Sequence, residues 1–386
     1  CALPICMNGE VGMLRGALGT SFLVGVMSLS NAQVCEENKY KDVHYHYSHN
    51  TAGAPDNSIA IPSGRAMRNF EYHSPLLNRK TSFDEYLQTQ CVTALLVVKS
   101  GQIVHEGYYR GRNARTHLMS ASMSKSILAL LYGAAIAEGK ITLQTKVRDV
   151  LPGFNGGFAN DSVEDLLRMS ASVQLVNSYD AGSASDNRST DPILSPTTDI
   201  EDYLRRKHQS FDPGTVFHYN GSVTALLGII LNKVTGMTAT KYLEQKVWHN
   251  IGAEKNGYWI KNYRGQEGVQ GQFNAVLRDY GRLGLLVLNR GKVGDKQVLP
   301  KYWIDAMVEL RKDKPQPKAP PFYGLHIWIP ERANGTSQMA GVGGQFIFTD
   351  PKEDIVIVHT AVDSRADGPV EWYVFRNAIV AHLRNQ

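Results

Sequence analysis

The order in which strand-like and helix-like segments follow one another constrains this chain more than any single motif. Thr93-Ala94-Leu95-Leu96-Val97-Val98 and Ile103-Val104-His105-Glu106-Gly107-Tyr108 flank Lys99-Ser100-Gly101-Gln102, which reads as a β-hairpin. Three more strand-like runs come only near the end, at residues 323–328, 344–348 and 355–359, with turn signals at Asn334-Gly335 and Asp350-Pro351. Between these ends lie helical stretches at 127–138, 162–169, 222–235, 277–289 and 301–310, and a last one covers 370–384. One antiparallel sheet must therefore be assembled from both ends of the chain. The middle, about residues 150–270, then forms a mostly helical lobe with a cleft between lobe and sheet, an α/β architecture with helices flanking the sheet.

At the start of the first long helix the chain reads Ser122-Met123-Ser124-Lys125. Three residues apart on a helix, a hydroxyl and an amine share one face, which places a nucleophile beside a base. A serine hydroxyl attacks poorly until its proton is taken, and an ammonium cannot take it. Lys125 must be neutral or hand the proton through a partner; burial and the positive end of the helix dipole both disfavour the charged amine. The same spacing is common on solvated helix faces, so it acquires weight only from companions.

Composition excludes several other functions. With 42% hydrophobic and 20% charged residues the chain can bury a real core. The net charge of +5 comes from dispersed Lys and Arg, and short clusters such as Arg205-Arg206-Lys207 are solvated faces, so no nucleic-acid partner is expected. Met13-Leu14-Arg15, an apolar run over 16–29 and Ser30-Asn31-Ala32 have the n-region, h-region and cleavage site of a signal peptide, residues 13–32. That predicts a secreted or periplasmic protein without stable membrane insertion; residues 1–12 read as upstream or non-native. Residues 33–90 carry few periodic signals and read as an N-terminal arm. Cys35 and Cys91 then remain, either as a disulfide or as two free thiols. In the arm, Asp42-Val43-His44-Tyr45-His46-Tyr47-Ser48-His49 has histidines close enough to suggest zinc. No acidic or cysteine ligand is in register with them, so an alternating strand or loop is expected, and neither metal nor cofactor.

Residues 91–386 resemble the serine β-lactamase and penicillin-binding-protein superfamily, on the branch with class C β-lactamases, family VIII esterases, D-amino-acid peptidases and 6-aminohexanoate-dimer hydrolases. Ser122-x-x-Lys125 is the first motif. Phe217-His218-Tyr219-Asn220-Gly221-Ser222 matches the tyrosine motif, but Gly221 stands where that family's Tyr-x-Asn has its asparagine, and Asn220 and Ser222 are both possible substitutes. Met339-Ala340-Gly341-Val342-Gly343-Gly344-Gln345 takes the place of the Lys-Thr-Gly strand, without its lysine.

The resemblance implies a β-lactamase/transpeptidase-like fold and a small-molecule amide or ester as substrate. Ser122 would be the nucleophile, with Lys125 and Tyr219 as its proton partners and the N–H groups of Ser122 and Val342 as oxyanion hole. Finer matches, at residues 165–180 and 323–328, favour the 6-aminohexanoate-dimer hydrolase branch. They nominate Tyr179 and Trp328, with Gly341 and Gln345 of the glycine-rich strand, as substrate contacts. A family VIII-type carboxylesterase and a non-catalytic penicillin-binding sensor are the rival readings, and the oligomeric state is left open.

Overall fold

The computed structural model describes residues 35, 38–174, 195–330, 335–362 and 368–386. Tyr179 and the acidic segment around it lie outside the described residues. The strands are β1 (His49–Ala52), β2 (Glu71–Ser74), β3 (Arg79–Ser82), β4 (Val92–Lys99), β5 (Gln102–Tyr108), β6 (Leu118–Met119), β7 (Gly257–Ile260), β8 (Phe273–Ala275), β9 (Lys292–Val293), β10 (Lys296–Gln297), β11 (Phe322–Tyr323), β12 (Trp328–Ile329), β13 (Ser337–Gly341), β14 (Gln345–Asp350) and β15 (Ile355–Ala361). The α-helices are α1 (Phe83–Thr89), α2 (Met123–Ala137), α3 (Val147–Val150), α4 (Val163–Leu167), α5 (Ile200–Arg205), α6 (Gly221–Thr235), α7 (Ala239–Leu243), α8 (Leu277–Leu288), α9 (Lys301–Val308) and α10 (Gly368–Arg384).

The main sheet has the order β11-β12-β13-β14-β15-β4-β5, antiparallel throughout, so the early hairpin is sewn onto the late strands along β4 and β15. Period-two alternation explains how both faces are used. Ala94, Leu96 and Val98 of β4 point into one core with Val356 and Val358, against α2 and α8, whereas Leu95 and Val97 point into a second core with Phe346, Ile357, Trp372 and Phe375 under α10. Helix α2 is apolar on every side because it runs through the centre of the molecule, where 13 of its 15 residues are buried. Among the described residues no single helix is long and apolar enough to cross a membrane.

The arm takes a definite form, and one expectation changes. The arm is built into the fold: β1 pairs with β7 in a second sheet of order β1-β7-β8-β6, β2 and β3 form a hairpin, and Cys35 is bonded to Cys91 with a Cα separation of 5.5 Å. Strands of four residues are too short to show a pattern, and their partners lie far along the chain. Of the strand or loop expected for the histidine run, the structure has the loop: Val43–His46 is a 3-10 turn and the strand starts at His49.

The change concerns residues 323–328, read as one strand. Tyr323 and Trp328 end and begin separate strands, and residues 324–327 form a loop between β11 and β12, because the Leu325 and His326 N–H groups bond to Met307 O of α9 at 3.0 Å and to Leu167 O of α4 at 2.8 Å. A Cβ at Gly324 would lie 1.9 Å from Met307 O, so this approach requires glycine.

Candidate active site

Ser122 occupies the N-cap position of α2, directly after Ala121, whose φ of 44° is unusual for a residue with a Cβ. Such a conformation persists only where its surroundings enforce it. The Ser120 N–H bonds to Phe273 O at 2.8 Å, the Ser120 hydroxyl to Ala121 O at 2.9 Å and the Met123 N–H to Ser120 O at 3.2 Å. The turn is thereby tied to β8, and Ser122 emerges half-buried at the head of the central helix.

One turn further, Lys125 is buried. Its Nζ donates to Ser122 Oγ at 2.8 Å and to the backbone oxygen of Gln270 at 2.6 Å. The segment carrying Gln270 is held by Ser124, whose hydroxyl donates to Val269 O at 2.6 Å and accepts from Trp259 Nε1 at 2.8 Å. Sequence reasoning missed Ser124 and Gln270. Ser124 lies inside the S-x-x-K motif, yet its partner is 145 residues away, and a backbone carbonyl carries no residue-type signal at all.

Tyr219 joins this pair: Lys125 Nζ lies 5.2 Å from the centre of its ring. The tyrosine is held at the entrance to α6 by His218 N–H bonding to Met169 O at 2.7 Å, and Asn220 caps the helix by accepting the Ser222 N–H at 2.7 Å. Gly221 is the first residue of that helix. Trp328, expected as a substrate contact, stands 5.3 Å from the Tyr219 ring and 4.7 Å from that of Tyr323, near-perpendicular to the latter. Phe217 packs on Tyr323 at 5.5 Å, so one side of the site is an aromatic wall. Burial, with Tyr219 beside it, raises the Tyr323 phenol well above its usual range, which keeps it neutral.

Behind Lys125 lies His326, fully buried and missed by sequence reasoning. Burial first, and the nearby Lys125 ammonium second, push its pKa down to about 3 against the opposing bond to Leu167 O, so the ring is neutral. Nδ1 lies 2.8 Å from Leu167 O and Nε2 3.0 Å from Thr224 Oγ1, which assigns the proton to Nδ1. With Ser126 Oγ donating to His326 O at 2.5 Å, this loop fastens α2, α4 and α6 together under the lysine.

The glycine-rich strand closes the other side. A Cβ at Gly341 would lie 2.9 Å from Ser122 N and 2.5 Å from Ser120 O, so the end of β13 rests on the turn that carries Ser122. Val342 follows, exposed, in a turn completed by Gly343 and Gly344 at φ of 81° and 86°. Tyr40 of the arm packs on this turn, 2.8 Å from where a Gly343 Cβ would stand. Gln345 is not directed at the cleft. Its amide donates to Gly343 O at 2.9 Å and Ala361 O at 2.6 Å, because β14 alternation turns the side chain inward. Met339, where a penicillin-recognising strand has lysine, is buried in the core.

A serine, a lysine and a tyrosine thus converge beside a glycine strand edge, and the profile of the family described as Beta-lactamase matches residues 83–373. The chain belongs to the beta-lactamase family. As a family member of the serine-hydrolase type it is similar to the 6-aminohexanoate-dimer hydrolase of Paenarthrobacter ureafaciens, 24% identical over 298 residues, 73% of this chain and 76% of that protein. A Bacillus anthracis structure, of a protein proposed to be a 6-aminohexanoate-dimer hydrolase, superposes with a TM-score of 0.82 at 25% identity over 90% of this chain and 94% of the other. A family VIII carboxylesterase shares the fold, with a TM-score of 0.56 at 18% identity over 73% and 91%. The family match therefore starts at α1, and the described residues before it are joined to the matched part through β1 on β7 and the Cys35–Cys91 bond.

Proposed function

We propose that the protein hydrolyses a linear amide of the 6-aminohexanoate-dimer type through an acyl-enzyme on Ser122. The observation that carries this reading is the 2.8 Å contact from Lys125 Nζ to Ser122 Oγ with the Tyr219 ring 5.2 Å from the same nitrogen. Lys125 donates to the serine oxygen, which leaves the hydroxyl hydrogen for the Tyr219 oxygen. As Oγ bonds to the substrate carbonyl carbon, that proton passes through Tyr219 to the leaving nitrogen, the C–N bond breaks and an amine departs. Water then attacks the ester, its proton follows the same route back to Ser122 Oγ, and the carboxylic acid leaves.

The N–H groups of Ser122 and Val342 would hold the carbonyl oxygen as it becomes an oxyanion. Trp328 and the strand edge at Gly341 would line the acyl chain, and Tyr179 is a further candidate contact. Similarity to the Paenarthrobacter protein supports the amide, and the fold shared with a family VIII carboxylesterase supports an ester as the second reading. The buried Met339, which offers no cation for a β-lactam carboxylate, weighs against a penicillin sensor. The Cys35–Cys91 disulfide supports an exported protein, since such bonds persist in oxidising compartments.

The test is a panel of 6-aminohexanoate dimer, short p-nitrophenyl esters, a D-amino-acid amide and a cephalosporin, assayed on wild type and Ser122→Ala. Turnover of the dimer that Ser122→Ala abolishes is the expected result. Turnover of esters alone would select the second reading, a persistent cephalosporin adduct by intact mass would select the sensor, and activity retained by Ser122→Ala would end the assignment.

A further inference from the structure

The arm carries a group of side chains that the hydrolytic site does not use. Asp42, His44 and His117 bring one carboxylate oxygen and two imidazole nitrogens within 4.8 Å of one another, where the arm crosses the segment leading to Ser122. We propose that these three residues bind a divalent transition-metal ion, with zinc as the best chemical fit, which clamps the arm to β6.

The geometry of each side chain supports this. His117 Nε2 lies 3.0 Å from Asn256 O, the carbonyl partner that fixes the tautomer of metal-bound histidines and turns the Nδ1 lone pair towards the site. That Nδ1 is buried without a hydrogen-bond partner, 3.9 Å from Asp42 Oδ1. His44 is 1% exposed, and neither of its ring nitrogens has a hydrogen-bond partner. Two unpaired nitrogens on one buried ring are costly unless something binds them. The ring is held by stacking on Tyr258, with centroids 4.1 Å apart and planes within 6°, and it meets His117 edge-on at 4.7 Å. Asp42 is fastened by accepting the His117 N–H at 2.8 Å and by its own N–H bonding to His117 O at 2.8 Å.

Two imidazoles and a carboxylate suit zinc, whose bonds of about 2.0–2.2 Å require ligand atoms roughly 3.3 Å apart. Asp42 is half-exposed, which provides a path for the ion. Along the sequence the histidine run has no acidic partner in register with it. In the structure His44 finds Asp42 two residues before it and His117 from another element, while His46 is exposed. Tyr40, two residues before Asp42, packs on the turn after Val342, so the clamp would also hold one wall of the cleft.

The experiment uses the full chain stripped with chelator and titrated with Zn2+ by calorimetry and with Co2+ by visible absorption, beside His44→Phe, which keeps a ring on Tyr258, and Asp42→Asn, which keeps an acceptor for the His117 N–H. Wild type is expected to take up one equivalent, with a cobalt ligand-field band and a raised Tm on adding zinc. Each variant should bind at least about a hundredfold more weakly, since even outer-shell partners of a metal are worth about 10- to 100-fold. Should His44→Phe fail to fold, Asp42→Asn carries the comparison on a half-exposed position. Wild type taking up no zinc, or the folded variants binding it as wild type does, would overturn the proposal.

Discussion

Gly341 approaches Ser122 so closely that a Cβ built on it would stand 2.9 Å from the serine amide nitrogen and 2.9 Å from the Cβ of Ala121. Two of the three nearest atoms, Ser120 O and Ser122 N, are backbone, and backbone at the head of a central helix cannot give way cheaply. Gly341→Ala should therefore push β13 off the Ser122 turn and spoil the proposed oxyanion site. We expect kcat to fall by about 10²-fold or more, the range for losing one oxyanion donor, with KM changed far less. Steady-state kinetics on protein shown to be folded by circular dichroism checks this; a kcat within threefold of wild type would contradict it.

Lys125 is buried and donates both to Ser122 Oγ and to the backbone of Gln270. Lys125→Met keeps the stem and removes the cation. The variant should lose about 10³-fold or more in kcat, and labelling of Ser122 by a fluorophosphonate should slow in parallel. Losing the buried hydrogen bond from Lys125 to Gln270 O should also lower stability by about 1–3 kcal/mol, read as a drop in Tm. Labelling at the wild-type rate would remove Lys125 from the serine's activation.

Trp328 is half-exposed on the aromatic wall beside Tyr219 and Tyr323. Because it reaches the site from β12 and is not one of the three residues proposed to move protons, its loss should be felt in binding. Trp328→Ala is expected to raise KM by roughly 3- to 10-fold, in line with about 0.5–1.5 kcal/mol for an aromatic contact, while kcat moves little. A kcat collapse with unchanged KM would assign it a different role.

Asp161 is fully buried in the helical lobe, where its carboxylate accepts the Ser172 N–H at 2.9 Å and the Ser172 hydroxyl at 2.8 Å. Burial outweighs these bonds and raises its pKa to about 7. Between the ordinary carboxylate range and pH 7 the folded protein keeps a proton that the unfolded chain has lost, so this group's contribution to stability declines as pH rises through that window. Asp161→Asn, whose amide can still accept the Ser172 N–H, should abolish that decline. Measured as Tm, the gap between variant and wild type should move in the variant's favour from pH 4 to pH 8; parallel curves would refute the shift.

Short-range rules made the frame and part of the site legible. The hairpin of β4 and β5, the helices α2, α6 and α8 and the shared face of Ser122 and Lys125 follow from alternation, helical periodicity and turn residues that act within a few positions. Tyr219 was legible only through family resemblance, because nothing local distinguishes a tyrosine near a helix start from a structural one. Three relationships were decided by tertiary structure alone: Gln270 O under Lys125, Gly341 on the Ser122 amide, and Asp42 and His44 against His117. Each joins groups that are remote in the chain, and two of them involve backbone atoms that every residue possesses. Gln345 shows the converse. A polar side chain in a glycine-rich strand looked like a ligand contact, but the facing of β14 turned it inward onto Gly343 and Ala361. Pattern sets which residues share a face; only the packing of sheet against lobe determines what that face meets.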